Sequence, residues 1–387
     1  MDTSGDGRVA LVSSHPTPQV AAGELLGAAF EAVGPTPDLV IVAAAGRHRR
    51  QLETLLAAAD DLLAPGLLIG VGTSCLASPL AAAADGFGIL ALSRSSVSAH
   101  PVSFHDDGRV VTGLPSLVGE PVVTVLGDAA SCSLPTIIRE IAIGAPGAVV
   151  TGGLLPRDPD AGARADLWLG GGWLGGVHQA DGALVLTAPG ATPVGGAQGL
   201  RPVGPTRVVT AVEGAMVLEL DGRPAADVVA EDVAAADPRP FGGEHLVLAR
   251  VADVEPGSVP VSIGPATPVL GVQRARRAIA VGGDAATAMA VPPWLWVGAR
   301  VCLAEDHPRW LRDELRRRPP AAAPIGLAMG DADGLTALGV VGDVVDEVLG
   351  LRVTSVVGPT DDGAVADGGA RLVVVGLAGS GDTHPAH

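Results

Sequence analysis

The chain contains no lysine, no tyrosine and no asparagine, so all 25 of its Lys+Arg residues are arginines. The missing lysine excludes Schiff-base chemistry and a P-loop, and the missing tyrosine excludes a phenolic acid or base. Kinase, P-loop and pyridoxal-phosphate readings fall together. Absence of residues with A/T-rich codons records a GC-rich coding bias, but the chemical consequence holds whatever its origin. Aromatic residues make up only 2 % of a chain that is 48 % apolar. The core must therefore be built from Ala, Val, Leu and Ile, with glycine allowing close backbone approach. The three cysteines, Cys75, Cys132 and Cys302, are widely spaced and form no C-x-x-C, which argues against a disulfide framework or a zinc knuckle. No apolar run reaches the roughly 18 uninterrupted residues of a membrane span. The first residues, MDTSGDGRVALV, lack a basic region ahead of a long apolar stretch, so no signal peptide and a cytoplasmic location are expected. A formal charge of −17 repels a phosphate backbone unless a strong basic patch forms locally.

What is present reads as a mixed α/β chain, and 387 residues suffice for two domains with separate cores. Residues 8–13 form a first strand, and Val20, Leu25, Leu26, Ala29 and Phe30 recur at helical spacing up to Gly34. The runs 38–44 and 66–72 are continuously apolar, as in strands covered on both faces. Between them 47–63 reads as a helix whose Arg47, Arg49 and Arg50 face solvent. Further strands are expected at 86–93, 121–126, 148–155, 182–186, 244–251 and 372–377, and helices at 133–143, 225–237 and 308–318. In the last of these Trp310, Leu311 and Leu315 share one face. The second half reads as more antiparallel. Residues 157–164 read as a polar loop, 289–290 as part of a meander and 379–387 as a disordered tail.

Three places carry candidate chemistry. Gly70-Val71-Gly72-Thr73-Ser74-Cys75 follows a strand, and open α/β folds bind ligands at the carboxyl ends of their strands. The third glycine of a dinucleotide fingerprint is missing, so a ligand-facing loop is preferred over a phosphate turn. Gly152-Gly153 ends another buried strand, where a ligand or a neighbouring backbone can approach closely. His100, His105, Asp106 and Asp107 lie in a polar, turn-like stretch, but lack zinc-type or helical spacing and read as solvated loop residues rather than a metal centre. Trp168 and Trp173 are pocket walls or core. No cofactor site is expected.

The stretch 199–226 is the most specific. It holds G-L-R-P-V-G-P, then V-V-T-A, then E-L-D-G-R-P-A. Pro202 makes its neighbourhood extended. Two strands, 206–212 and 215–220, flank the turn at Glu213-Gly214, and Asp221-Gly222 turns into a helix behind Pro224. This order closely resembles the junction between the two halves of the FIST module, an intracellular sensory region. The "vvGG" element at 149–153 and the R-x-I element at Arg277-Ala278-Ile279 fit the same resemblance. It implies an N-terminal-like domain at 1–212, a C-terminal-like domain at 213–378 and a tail at 379–387. The C-terminal motifs depart from the family: Met329 stands near an expected cysteine, Asp331-Ala332-Asp333 replaces an arginine loop, and only Gly358-Pro359 remains of a G-E-I-G-P element.

The resemblance implies a non-catalytic sensor of small ligands such as amino acids or small carboxylates. Its output then passes through a separate signalling protein or through oligomerisation. Thr73, Ser74, Cys75, Gly152, Gly153 and Arg201 are the candidate ligand-binding residues, Arg201 because a guanidinium pairs bidentately with a carboxylate. The alternative for Arg201 is a structural tie to the turn at 219–221. Two other classes stay open. One is an interaction protein with a degenerate pocket. The other is an enzyme with Cys75 as nucleophile at a helix start, which needs a lowered thiol pKa and a nearby base.

Overall fold

The computed structural model describes residues 7–78, 82–106, 108–118, 122–129, 131–156, 167–171, 178–179, 182–188, 192–197, 199–236, 246–251, 255–258, 266–282, 295–306, 308–317, 323–330, 345–352, 355–359, 365–367 and 372–376. The expectations for 157–164, Trp173, Asp107, 289–290, 331–333 and 379–387 lie outside these residues. The chain is mixed α/β with several sheets and few helices. It divides into two compact units, 1–197 with 315–358 and 370–387, and 198–314 with 359–369.

Unit 1 opens with β1 (Arg8–Ser13), α1 (Pro18–Val33), β2 (Leu39–Ala45), α2 (Leu52–Leu63), β3 (Leu67–Thr73) and β4 (Gly86–Leu92). It continues with β5 (Ser98–His105), β6 (Val122–Asp128), α3 (Leu134–Gly144), β7 (Val149–Leu155), β8 (Leu167–Gly170) and β9 (Ala183–Thr187). The first sheet has the order β1-β4-β2-β3-β8, with only β2 and β3 parallel. All seven residues of β2 are buried. The two-residue period divides them between two cores. Val40, Val42 and Ala44 meet α1 and α2 through Leu25, Leu26, Leu55 and Leu56. Leu39, Ile41 and Ala43 meet Leu126 of β6 and Leu184 of β9. A strand covered on both faces leaves no polar side to alternate with, which is why the run is continuous.

The second sheet pairs β7 with β6 in parallel, then β6 with β9 and β9 with β5 antiparallel. Here the expected turn-like stretch at 100–108 is corrected: through His105 it is a strand, with Ala99 and Val102 buried. The short strand Val110–Thr112 reaches only Ser103–His105, so Pro101, which cannot donate to a ladder, lies beyond that partner. The segment 47–63 is also corrected. It begins as a 3₁₀ turn, Gly46–Gln51, before α2. Three residues per turn instead of 3.6 re-aim the side chains. Arg47 and Arg50 are exposed as expected, but Arg49 is buried and His48 fully so.

Unit 2 holds β10 (Leu200–Pro202), β11 (Arg207–Glu213), β12 (Met216–Leu220), α4 (Ala225–Ala235), β13 (Leu246–Arg250), β14 (Ala266–Gln273), β15 (Ala278–Val281), β16 (Arg300–Asp306) and most of α5 (Pro308–Arg317). Its pairings run β16-β11-β12-β15-β14-β13 and return from β13 to β16, all antiparallel. Six strands thus close on themselves. Val209, Val217, Leu248, Ile279, Val301 and Leu303 fill this core with Val228 of α4. Later strands of unit 1 are β17 (Ala323–Gly330), β18 (Val345–Arg352), β19 (Ser355–Pro359, to Gly358 within the unit) and β20 (Leu372–Gly376). Met329 of β17 is fully buried in the core of unit 1.

Burial of Cys302 on β16 pushes its thiol pKa up from 9.0 to about 12. The folded protein therefore holds this proton where the unfolded chain has released it. Stability is unaffected below about pH 9 and falls as pH rises from there towards 12, by roughly 1.4 kcal/mol per pH unit at most. With no lysine or tyrosine in the chain, the cysteines dominate this window. Denaturant midpoints between pH 8 and 10.5 should decline, and the decline should shrink in Cys302→Ala. In the native protein a maleimide should label half-buried Cys75 and Cys132 long before Cys302.

Candidate functional site

Because β4 runs antiparallel to both β1 and β2, the strands β1, β2 and β3 point the same way. Their carboxyl ends share one edge of the first sheet: Phe87 of β4 lies opposite Ser13 of β1 and Ala44 of β2, and Ala45 lies beside Thr73. Three connections gather there, 14–17, 46–51 and 74–75. The 3₁₀ turn binds them together. Asp85 accepts a hydrogen bond from the Arg47 N–H at 2.8 Å, and Gly46, at φ +56°, leaves room for that carboxylate. His48 packs edge-on against Phe87, with 5.0 Å between centroids, and its Nε2 lies 3.2 Å from the His15 carbonyl. Arg49 reaches the end of β7, donating from Nη2 to the Pro156 carbonyl at 2.8 Å. Neighbouring Leu155 lies in register with Asp128 of β6, a buried carboxylate that accepts from Ser131 Oγ at 2.5 Å.

An open cleft of about 550 Å³ lies at this edge, between the end of β1 and the start of α1. Leu11, Leu25 and Pro16 supply apolar wall; Ser13, Ser14, His15 and Glu24 supply the polar groups. Ser13 Oγ donates to Glu24 Oε2 at 2.8 Å, and the Thr17 N–H donates to His15 Nδ1 at 3.1 Å.

Thr73 ends β3, fully buried, with Oγ1 donating to the Cys75 carbonyl at 3.3 Å. Ser74 and Cys75 form the half-buried turn that follows. Cys75 does not start a helix: the chain enters a short strand, Leu76–Ala77, paired with β18. Its thiol donates to the Leu76 carbonyl at 3.4 Å, so helix-dipole activation does not apply to it. Gly70 and Gly72 are corrected as well, since both lie inside buried β3 rather than in a loop. Gly70 makes room for Leu56 and Trp168, whose atoms lie 2.5 and 2.8 Å from the position of an added Cβ. Trp168 itself packs on the helix-side core.

Gly152 and Gly153 lie within β7, between β6 and β19. At Gly152, φ is +131° and a Cβ would stand 1.9 Å from the Val125 carbonyl oxygen. The close approach is thus made by a neighbouring backbone. His105 Nε2 contacts Thr112 Oγ1 at 3.0 Å in a hairpin. Among the described residues no group of three or more His, Cys, Asp or Glu is placed to hold a metal.

Arg201 belongs to unit 2. It pairs with Glu305 at 3.4 Å and stacks 4.4 Å above the Trp310 ring, while Trp310 Nε1 donates to the same carboxylate at 3.0 Å. The expected tie to the turn at 219–221 belongs instead to Arg207, which meets Asp221 at 3.3 Å and Asp232 at 2.5 Å. Hydrogen bonding to Asp232 raises the Arg207 pKa above its usual value. The rest of the junction motif is also explained by packing. Gly199, at φ +69°, lies against Leu311, and Gly204 leaves space for the Asp232 carboxylate. Sequence reasoning missed Ser13–His15, His48 and Arg49. The signal available for Arg49 was Gly46, whose left-handed conformation starts the tighter turn.

This is a unit of mixed sheets and covering helices with an open cleft at the carboxyl edge of its strands. The family model of the FIST N domain matches residues 38–223, which supports the FIST family for that segment of the chain. The match spans β2 through β12 and ends within the junction motif; it does not extend over the C-terminal half. FIST domains are sensory, signal-transducing and non-catalytic modules. None of the curated proteins compared with the chain matches it. Among the described residues no helix is long and apolar enough to cross a membrane.

Proposed function

We propose that unit 1 is a small-ligand sensor whose ligand docks at the carboxyl edge of the first sheet. The observation that carries this reading is the open cleft of about 550 Å³ at that edge, which gathers Ser13, Ser14, His15 and Glu24 beside apolar wall. It lies where open α/β sheets receive ligands. Ser74 and Cys75 extend the same edge, with Thr73 fixing their turn. Gly152 and Gly153 serve close strand packing in the second sheet, and Arg201 is structural. Amino acids and small carboxylates are the first ligands to test, and output passes to a separate signalling protein. A cytoplasmic location, and the sequence modules 1–212 and 213–378, remain part of this proposal.

A thermal-shift screen tests it. A ligand at 100 times its Kd adds about 2.7 kcal/mol, which for a unit of this size raises Tm by roughly 5–10 °C. Ser14→Trp, placed on the cleft rim, should abolish the shift, and a folded Arg201→Ala should keep it. A panel without any saturable shift, or a shift indifferent to Ser14→Trp, overturns the reading.

A further inference from the structure

Resting on the reading that this edge is the ligand site, we propose that the cleft selects a small organic cation, an alkylammonium with a short apolar body. Among the side chains lining it, Glu24 alone carries a formal charge when His15 is neutral. Its carboxylate is held on the β1 side of the cleft by the Ser13 hydroxyl, a 2.8 Å bond that fixes one oxygen and leaves the other lone pairs able to accept an ammonium N–H. His15 Nδ1 is turned back to its own turn, 3.1 Å from the Thr17 nitrogen and 3.3 Å from the Thr17 carbonyl. Leu11, Leu25 and Pro16 offer apolar surface beside the carboxylate, which suits an alkyl chain of a few carbons rather than a bare ion. No arginine is among the residues lining the cleft, and Arg49 on this edge donates to the Pro156 carbonyl. The chain's formal charge of −17 favours encounter with cations and disfavours anions.

The test uses the full chain, n-butylammonium as the probe, and butyrate and ammonium chloride as comparisons, followed by calorimetry and thermal shift at fixed ionic strength. Saturable binding of n-butylammonium is expected, at least tenfold tighter than either comparison. Glu24→Gln should weaken it by tenfold or more, and Ser13→Ala by a smaller factor. Glu31→Gln, an exposed carboxylate elsewhere on α1, should leave it unchanged, which separates loss of the site from a general loss of charge. Glu24 is exposed on α1, so its amide variant keeps the fold, and an unchanged melting curve without ligand verifies this. Binding of butyrate but not n-butylammonium, with Ser14→Trp sensitivity, overturns the cation proposal and leaves the sensor reading standing. Equal loss with Glu24→Gln and Glu31→Gln also overturns it, as diffuse charge screening. No binding of either probe overturns the cation proposal, and the broader ligand panel then decides the sensor reading.

Discussion

Gly152→Ala should leave unit 1 largely unfolded at 37 °C. The new Cβ would stand 1.9 Å from the Val125 carbonyl oxygen and 2.7 Å from two further backbone atoms of Val125. These belong to β6, whose neighbours on both sides are paired, so they cannot retreat without breaking two ladders. The φ of +131° adds strain of its own for any residue with a Cβ. Together these place the cost at about 4 kcal/mol or more, in the tail of single-substitution effects. Folded domains are stable by only roughly 5–15 kcal/mol. Gly23→Ala gives the contrast. That helical glycine has open space around it, so alanine should stabilise by about 0.5–1 kcal/mol. Urea midpoints of both variants measure this, and a Gly152→Ala midpoint within about 1 kcal/mol of the parent would show that β6 and β7 are not packed as described.

Asp232→Ala should cost unit 2 about 3–5 kcal/mol. Its carboxylate is 6 % exposed and receives both Arg207 Nε and Nη2, so the pair is bidentate. Removing one member strands a guanidinium that is itself only 20 % exposed, and an uncompensated buried charge is far more costly than the pair is favourable. Asp221 retains one contact to Arg207, which keeps the loss at the lower end of that range. Glu231→Ala is the companion. It removes a pair between Arg223 and Glu231 whose side chains are 49 % and 56 % exposed, and little change is expected. Equal effects of the two substitutions, read as midpoints at one pH, would remove the buried pair from the account of the fold.

Much of this architecture was legible because unit 1 buries its strands on both faces. Continuous runs such as 38–44 and 66–72 have few other interpretations, and the observed β2 and β3 differ from them by one residue at each end. The hairpin of β11 and β12 was legible through Gly214, which turns at φ +56°. What sequence could not give was any feature decided by a distant partner. The burial of Arg49 depends on a carbonyl at residue 156, and the β5 strand depends on β9 for its ladder, with His and Pro masking its alternation. Thr73, Ser74 and Cys75 were read as ligand-facing from the rule that ligands gather at strand ends, and they do end β3. The cleft at the end of β1 was not legible, because the direction of β1 relative to β2 is set by β4, which comes later in the chain. Arg201 was read either as a carboxylate partner or as a tie to the turn at 219–221, and Glu305 and Trp310, about a hundred residues on, are the partners it has.

The closed ring of unit 2 has a consequence for how that unit comes into being. Three of its six joints link consecutive strands, β11 to β12, β13 to β14 and β14 to β15, but the ring exists only once β11 meets β16, β12 meets β15 and Leu246–Arg250 meets Val301–Glu305. That last pairing is also the one flanked by β11 on the far side of β16. Until it forms, the other strands make an open ribbon with two unsatisfied margins, and a ribbon of that kind invites foreign strands. Once it forms, the six-stranded circuit has no margin left to lend. The seam between β13 and β16 is therefore one of three long-range joints without which unit 2 stays a template for other chains.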